Sequence, residues 1–269
     1  MRRVACGRRR HGRAGVAGRA CVLVSGGLDS AVLLRDTLRA HRLVRPLYVR
    51  AGLHWERIEI QALRRFLGSL HSPRLLPLAI IEMPMADLYG RHWSVSGRGG
   101  PRYHDGDETV YLPGRNIALF SKAATFCALH RIPVLVSGIL SANPFPDGTP
   151  AFFRAMERAL SRGLGAPLRL RAPFRRMTKD RVVRRGRDLR LDLTVSCVRP
   201  LRGGRHCGGC SKCAERARAF RDAGVPDPTA YAGGPGARAA AAGRTPSPKP
   251  ESIRLRTTRV APNRTTRSR

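Results

Sequence analysis

Two clusters in this 269-residue chain have the residue types and spacing of chemistry. The first is Ser25-Gly26-Gly27-Leu28-Asp29-Ser30, set directly after the apolar run Cys21–Val24. The glycines let the backbone turn with no Cβ in the way and let a ligand approach the main chain. The turn's N–H groups and the N-terminus of a following helix form an anion cradle. Ser25 and Ser30 add hydroxyl donors, and Asp29 places an acid where it can orient a metal or a donor. A tight strand-to-helix turn, with Asp29 and Ser30 as caps, is the plainer alternative. The string is neither a P-loop, since it lacks Gly-Lys-Ser/Thr, nor a Gly-x-Gly-x-x-Gly fingerprint. Phosphate binding to a nucleotide is the expectation.

The second cluster is Cys207-Gly-Gly-Cys210-Ser-Lys-Cys213 with Cys197 ten residues upstream. Four thiolates suit tetrahedral zinc, and no ligand is missing, so a closed structural site is expected rather than a catalytic one. An iron–sulfur cluster is the rival, since four cysteines suit it too. A group of merely buried thiols is the plain alternative. His206 adjoins the cluster but is surplus to four-coordination. Cys6, Cys21 and Cys127 read as ordinary residues, the last two in apolar segments where free cysteine is usually buried.

The elements that must position these groups follow from periodicity. Strands are expected at 21–24, 43–50, 75–82 and 133–136. Helices are expected from Leu28 to Leu38, around Trp55–Leu70, over 116–130, around Phe152–Leu164, and from Lys179 to Arg185 after a Thr178 cap. A long loop, about 84–112, separates the third strand from the third helix; loops of that length are usually functional or mobile. The alternation indicates a parallel α/β sheet with helices on both faces. Ligands of such sheets bind at the strands' carboxyl ends. Ser137-Gly138 also follows a strand, so it and the Ser25–Gly27 turn are expected to face one crevice. Lys179 reads as a solvated helix start, with phosphate contact the less favoured alternative.

The formal charge is +33, and only four of the 51 basic residues are lysines. Residues 1–19 carry seven arginines and no acid, and residues 235–269 carry nine basic residues against Glu251. Both ends read as disordered basic tails. No basic stripe is interleaved with aromatics, so no specific nucleic-acid partner is expected. No apolar run approaches the ~18 residues of a membrane span. No secretory signal is visible either, and a cytoplasmic protein is expected. The organisation is then a basic tail (1–19), a nucleotide domain (20–195), a metal-binding segment (196–234) and a second tail (235–269).

The glycine string resembles the pyrophosphate loop of the N-type ATP pyrophosphatases. With it stand Leu112-Pro113-Gly114-Arg115-Asn116, the four cysteines, Ala219-Phe220 and Asp227-Pro228-Thr229, in that order. The combination resembles the 7-cyano-7-deazaguanine synthase family over about residues 20–231. The resemblance implies a Rossmann-like fold of the adenine nucleotide alpha hydrolase kind, one Zn²⁺ on Cys197, Cys207, Cys210 and Cys213, and a homodimer. It implies ATP with Mg²⁺ as substrate, bound along Val24, Ser25, Gly26, Gly27, Leu28, Asp29, Ser30, Ala31, Val32, Leu33 and Leu34. Asp29, Ser30 and Arg115 become catalytic candidates; Arg115, Asn116 and Asp147 become substrate contacts. Arg115 and Asn116 could instead be a turn and helix cap, and Asp147 could cap a helix starting near Thr149. The implied reaction turns 7-carboxy-7-deazaguanine, ammonia and ATP into the 7-cyano compound through an adenylated intermediate, on the route to queuosine-type bases. Two segments depart from the family pattern: Arg50-Ala-Gly-Leu-His-Trp55 and Phe145-Pro-Asp-Gly-Thr149. A related amide- or nitrile-forming ligase for another carboxylate is therefore the alternative.

Overall fold

The first strand holds the middle of the sheet. In a computed structural model that describes residues 17–233, the chain runs through β1 (Ala17–Leu23), α1 (Leu28–Ala40), β2 (His41–Arg50), α2 (Glu56–Gly68) and β3 (Ala79–Glu82). Then come α3 (Ala86–Tyr89), α4 (Trp93–Ser96), α5 (Arg115–Leu129) and β4 (Val134–Val136). It ends with α6 (Pro150–Gly163), β5 (Arg169–Arg171), α7 (Lys179–Arg185) and α8 (Ser211–Ala223). The described strands form one parallel sheet in the order β3-β2-β1-β4-β5. The register pairs Cys21 with Arg45 on one side and with Leu135 on the other.

Both faces of β1 are covered, and alternation along the strand sorts its side chains. Ala20, Val22 and Val24 pack with α1, α2 and α7 through Leu28, Val32, Phe66 and Val182. Cys21 goes to the opposite layer with Phe120, Ala123, Cys127 and Phe153 of α5 and α6. Strand β2 divides the same way, with Val44 and Tyr48 in the first layer and Leu47 and Val49 in the second. That is why these strands read as continuous apolar runs. A third cluster joins Trp55, Trp93 and Leu112 to Cys197, Cys210 and Cys213. The cysteine segment thus shares a core with the long loop.

Some elements differ from the sequence expectation. Strand β5 has no counterpart among the expected strands, because only Leu170 of Arg-Leu-Arg is buried and the strand lies at the sheet edge. Strand β3 is shorter than 75–82; Pro77 has no N–H to give a ladder, although Leu75 still bridges Val44. Residues 17–19 are strand rather than tail. The loop holds two single-turn helices and a 3₁₀ turn at Asp107–Val110, too short to carry a period. It is pinned to the chain after β2 by Met85 N–H to Ala51 O and His54 N–H to Ser94 O. No described helix is long and apolar enough to cross a membrane. Cys6, the tail readings for 1–16 and 235–269, and Gly234 lie outside the described residues.

Candidate functional site

Strand β1 leads from β2 on one side to β4 on the other, so the sheet's switch point lies between β1 and β4, where such folds open a crevice. The turn out of β1 is built tightly. Gly26 has φ +74, and a Cβ there would stand 2.6 Å from the Glu59 carbonyl oxygen, so both its conformation and its neighbour demand glycine. Gly27 occupies the N-cap of α1 with no side-chain cap, so Asp29 and Ser30 are not caps. The Ser30 hydroxyl donates to Gly27 O at 2.9 Å and accepts from Ser25 N at 3.2 Å. Ser30 therefore braces the turn. Across from it, a Cβ added at Gly138 would stand 3.9 Å from Ser30 N, so the two strand-end loops lie side by side with room for little more than a methyl group between them. The side chains of Val24, Leu28, Ala31, Val32, Leu33 and Leu34 are buried in the core, which leaves only their main chain for a ligand. Ser25, Gly27 and Asp29 line the cleft.

One wall of that cleft, about 360 Å³ in volume, is a chain of alternating charges. Asp29 Oδ2 lies 3.1 Å from Lys179 Nζ; Lys179 reaches Glu215 at 2.9 Å; Glu215 reaches Lys212 at 2.9 Å; and Lys212 reaches Asp107 at 3.4 Å. Lys179 is thus no solvated helix start: its side chain is only 14% exposed. Burial pulls its pKa down, but Asp29 and Glu215 more than offset this, and the net shift is upward. Burial likewise opposes the Glu215 charge, yet the two lysines hold its carboxyl down to about 2. Asp29 Oδ1 is buried without a partner.

The facing wall is different. Trp55 and Trp93 stack at 5.6 Å between ring centroids and both line the cleft, as do Leu112 and Phe145. Arg115, first residue of α5 behind Gly114 (φ +75), also lines it. Its Nε has no partner, and neither does the buried Trp93 Nε1. Tyr48 donates to Glu59 Oε2 at 2.7 Å. Burial lifts the Glu59 carboxyl to about 8; Tyr48 and Arg115 pull against that rise and Glu56 adds to it. Asn116 Nδ2 donates to the Asp147 carbonyl at 3.4 Å. Asp147 is buried beside it with Oδ1 unpartnered, and burial raises its pKa. Asp147 does not cap α6: Thr149 does, accepting from Phe152 N at 3.2 Å. Trp55 and Phe145 bring both segments that depart from the family pattern to this one cleft.

Behind the cleft the four cysteine sulfurs lie within 4.8 Å of one another. Three Sγ–Sγ separations are 3.8, 3.9 and 3.4 Å. A tetrahedron with metal–sulfur bonds near 2.3 Å needs edges of roughly 3.8 Å, so the thiols fit a metal ion. Backbone N–H groups of Arg199 and Cys207 point at Cys197 Sγ, and that of Gly209 at Cys207 Sγ, which favours thiolates. His206 is no ligand; its Nε2 accepts Ser196 N–H at 3.0 Å, and burial together with Arg216 lowers its pKa to about 3. Arg216 is fully buried with no carboxylate partner among the described residues, held by Thr194, Ser196, Thr229 and the Leu191 carbonyl. Val195 N–H bonds Gly26 O at 2.9 Å, which ties this segment to the glycine turn.

A larger groove of about 730 Å³ runs beside β5, lined by Arg154, Arg171 and Arg175. None of Ser25, Gly27 or Gly138 lines it, and it is not at the switch point. The smaller cleft is where the chemistry gathers. Glu215 and Glu59 line the cleft without having been singled out from sequence, Tyr48 stands behind Glu59, and Lys179 takes the less favoured of its two expectations by facing the glycine turn rather than solvent. For Glu59 a signal existed: it stands at i with Ala62, Leu63 and Phe66 at i+3, i+4 and i+7, on the apolar stripe of α2.

An open parallel α/β sheet of the Rossmann-like kind, with an anion-type turn at its switch point and a four-thiol segment beside it, defines a nucleotide-binding class of protein. The family model described as "Queuosine biosynthesis protein QueC" matches residues 19–224, and the chain belongs to that family. It is 36% identical over 227 residues to a 7-cyano-7-deazaguanine synthase of Anaeromyxobacter sp. (strain Fw109-5), covering 79% of this chain and 96% of that one. It is 33% identical over 230 residues to a protein of the same name from Methanothrix thermoacetophila, covering 80% and 99%. A solved U34-tRNA thiolase of Methanococcus maripaludis is a looser likeness, with 13% identity, a TM-score of 0.42, and 86% and 72% of the two chains covered.

Proposed function

We propose that this protein is an ATP-dependent 7-cyano-7-deazaguanine synthase. The observation that carries the reading is the Ser25–Ser30 turn meeting the half-buried Asp29–Lys179 pair at the carboxyl ends of β1 and β4, in a chain whose relatives bear that name. A carboxylate is a poor electrophile for ammonia. Transfer of AMP to its oxygen supplies a leaving group, ammonia gives the amide, and activating the amide oxygen a second time lets elimination form the nitrile. Main-chain N–H groups of the turn receive the phosphates, and Lys179 brings fixed positive charge to them. Arg115, with its free Nε, serves phosphate or acyl oxygen. Asp29, with its unpartnered Oδ1, would hold Mg²⁺, which when bound neutralises charge on the phosphates. Asn116 and Asp147 serve the deazaguanine, whose ring N–H donors suit a buried carboxylate.

Cys197, Cys207, Cys210 and Cys213 would hold one structural Zn²⁺ that fixes the 196–234 segment against the 20–195 domain. The cytoplasm keeps such thiols reduced, and a homodimer completes the assembly. The test is incubation with ATP, ammonium and 7-carboxy-7-deazaguanine, read by mass spectrometry for the nitrile. Metal analysis in the same preparation should find about one zinc per chain. A second reading is a ligase for a different carboxylate. It is favoured by Trp55 and Phe145, which line the cleft from the two departing segments. ATP cleavage only with some other acid would select it.

A further inference from the structure

Four carboxylates line the cleft among the described residues: Asp29, Glu59, Asp107 and Glu215. Asp29 is paired with Lys179, Glu215 with Lys179 and Lys212, and Asp107 with Lys212. Among the described residues, Glu59 has no cation within ion-pair distance. Its fixed partner is neutral, the Tyr48 hydroxyl on Oε2, and no described residue hydrogen-bonds Oε1. The Glu59 carbonyl packs on Gly26, so this carboxyl belongs to the residue that abuts the phosphate turn. Amide formation from ammonium needs a base at that place, because ammonium has no lone pair to attack with. A carboxylate locked to lysine is too weak a base, as the depressed Glu215 illustrates.

We propose that Glu59, positioned by Tyr48, is the base that takes a proton from ammonium as its nitrogen attacks the adenylated carboxylate. The proposal rests on the synthase reading above. One N–H bond of ammonium breaks and its proton joins the Glu59 carboxylate. The freed lone pair forms the C–N bond. The carbon–oxygen bond to AMP breaks with its electron pair leaving on AMP, and a second proton leaves the new ammonium-like nitrogen to solvent. Glu59 then returns its own proton to solvent. The groups facing Glu59 are Tyr48 from β2, Glu56 from its own helix and Arg115 from α5. Together with burial they set its carboxyl at about 8, so the base form grows as pH rises through that value.

The experiment uses the intact metal-loaded protein with ATP and 7-carboxy-7-deazaguanine. Glu59→Gln should keep ATP–pyrophosphate exchange driven by that acid near the wild-type rate, because adenylation needs no such base. Its ammonium-dependent amide formation should fall about 10²-fold or more, the usual worth of a positioned base. Hydroxylamine is unprotonated at neutral pH and should restore hydroxamate formation in Glu59→Gln to within a few fold. Tyr48→Phe removes a hydrogen bond to the carboxylate and should move the acid limb of kcat/KM for ammonium to higher pH. Near-normal amide formation in Glu59→Gln overturns the proposal, as does a hydroxamate rate that falls in step with the amide rate. If Glu59→Gln does not fold, Tyr48→Phe decides, and an unmoved acid limb overturns it. Wild-type protein that shows no exchange with this acid but does so with another sinks the substrate reading first, and the part given to Glu59 with it.

Discussion

The two walls of the cleft are built on opposite plans. On the α1–α7–α8 side the charges answer one another, from Asp29 through Lys179 and Glu215 to Lys212 and Asp107. On the α2–α5 side polar atoms wait: Trp93 Nε1 and Arg115 Nε have no protein partner, and Glu59 is held by a neutral hydroxyl. A buried polar atom left unpaired costs roughly 1–3 kcal/mol, so these atoms call for a partner that the described residues do not supply. The paired wall is a preassembled electrostatic frame, with Asp29 Oδ1 its one buried atom left unpartnered among the described residues. In the proposed synthase, the unpaired wall is the one that reads the substrate.

The sharpest way to break this comparison is at Asp29. Asp29→Ala should lower pyrophosphate release by about 10²–10³-fold while melting stays within a few degrees, since Lys179 keeps Glu215 as a partner. Normal turnover would reduce the charged wall to scaffolding. Next comes the waiting wall. Trp93→Phe keeps most of the ring stack and removes the orphan N–H. KM for the carboxylate substrate should rise about tenfold, the worth of one hydrogen bond, with KM for ATP unchanged. Equal rises in both would mean that the two walls do not divide their ligands.

A gentler probe is acid. The folded Glu215 carboxyl lies at about 2, below its ordinary value, so its contribution to stability is present above the ordinary carboxylate range. That contribution is lost as pH falls from the ordinary range towards 2. Glu215→Gln should flatten this part of the stability–pH curve and leave the neutral-pH limb of activity with ammonium where it was. An unflattened curve would place the acid sensitivity elsewhere. The smallest effect belongs to Thr149→Ala, which should cost about 1 kcal/mol as a lost cap and leave both KM values alone. Asp147→Asn should do the reverse and raise KM for the deazaguanine.

What could be read from sequence was what is local. Ser25–Ser30 and Cys207–Cys213 each hold their groups within seven residues, so type and spacing announce them. Lys179 could not be read that way. Its partner Asp29 lies 150 residues upstream, and a lysine at a helix start ordinarily meets water. Arg-Leu-Arg at β5 offers one buried side chain, which no period can reveal. The cap at Thr149 was legible from Pro150 behind it at the first helical position, a signal Asp147 lacks. Glu59 and Arg216 share a different lesson. Each sits on the apolar stripe of its helix, Arg216 with Ala219 and Phe220 at i+3 and i+4, and a charge on such a stripe marks a place where burial has a purpose.

The bond from Val195 N–H to Gly26 O has a consequence for how the chain matures. Proteins emerge N-terminus first, and contacts of high sequence separation form late. The phosphate turn is among the first described segments to leave the ribosome, yet its carbonyl is tied down by a residue from the last third of the chain. Lys179 and Glu215, which set the charge around Asp29, arrive later than β1 to β4. A nascent or truncated chain therefore carries the nucleotide motif without the nucleotide site.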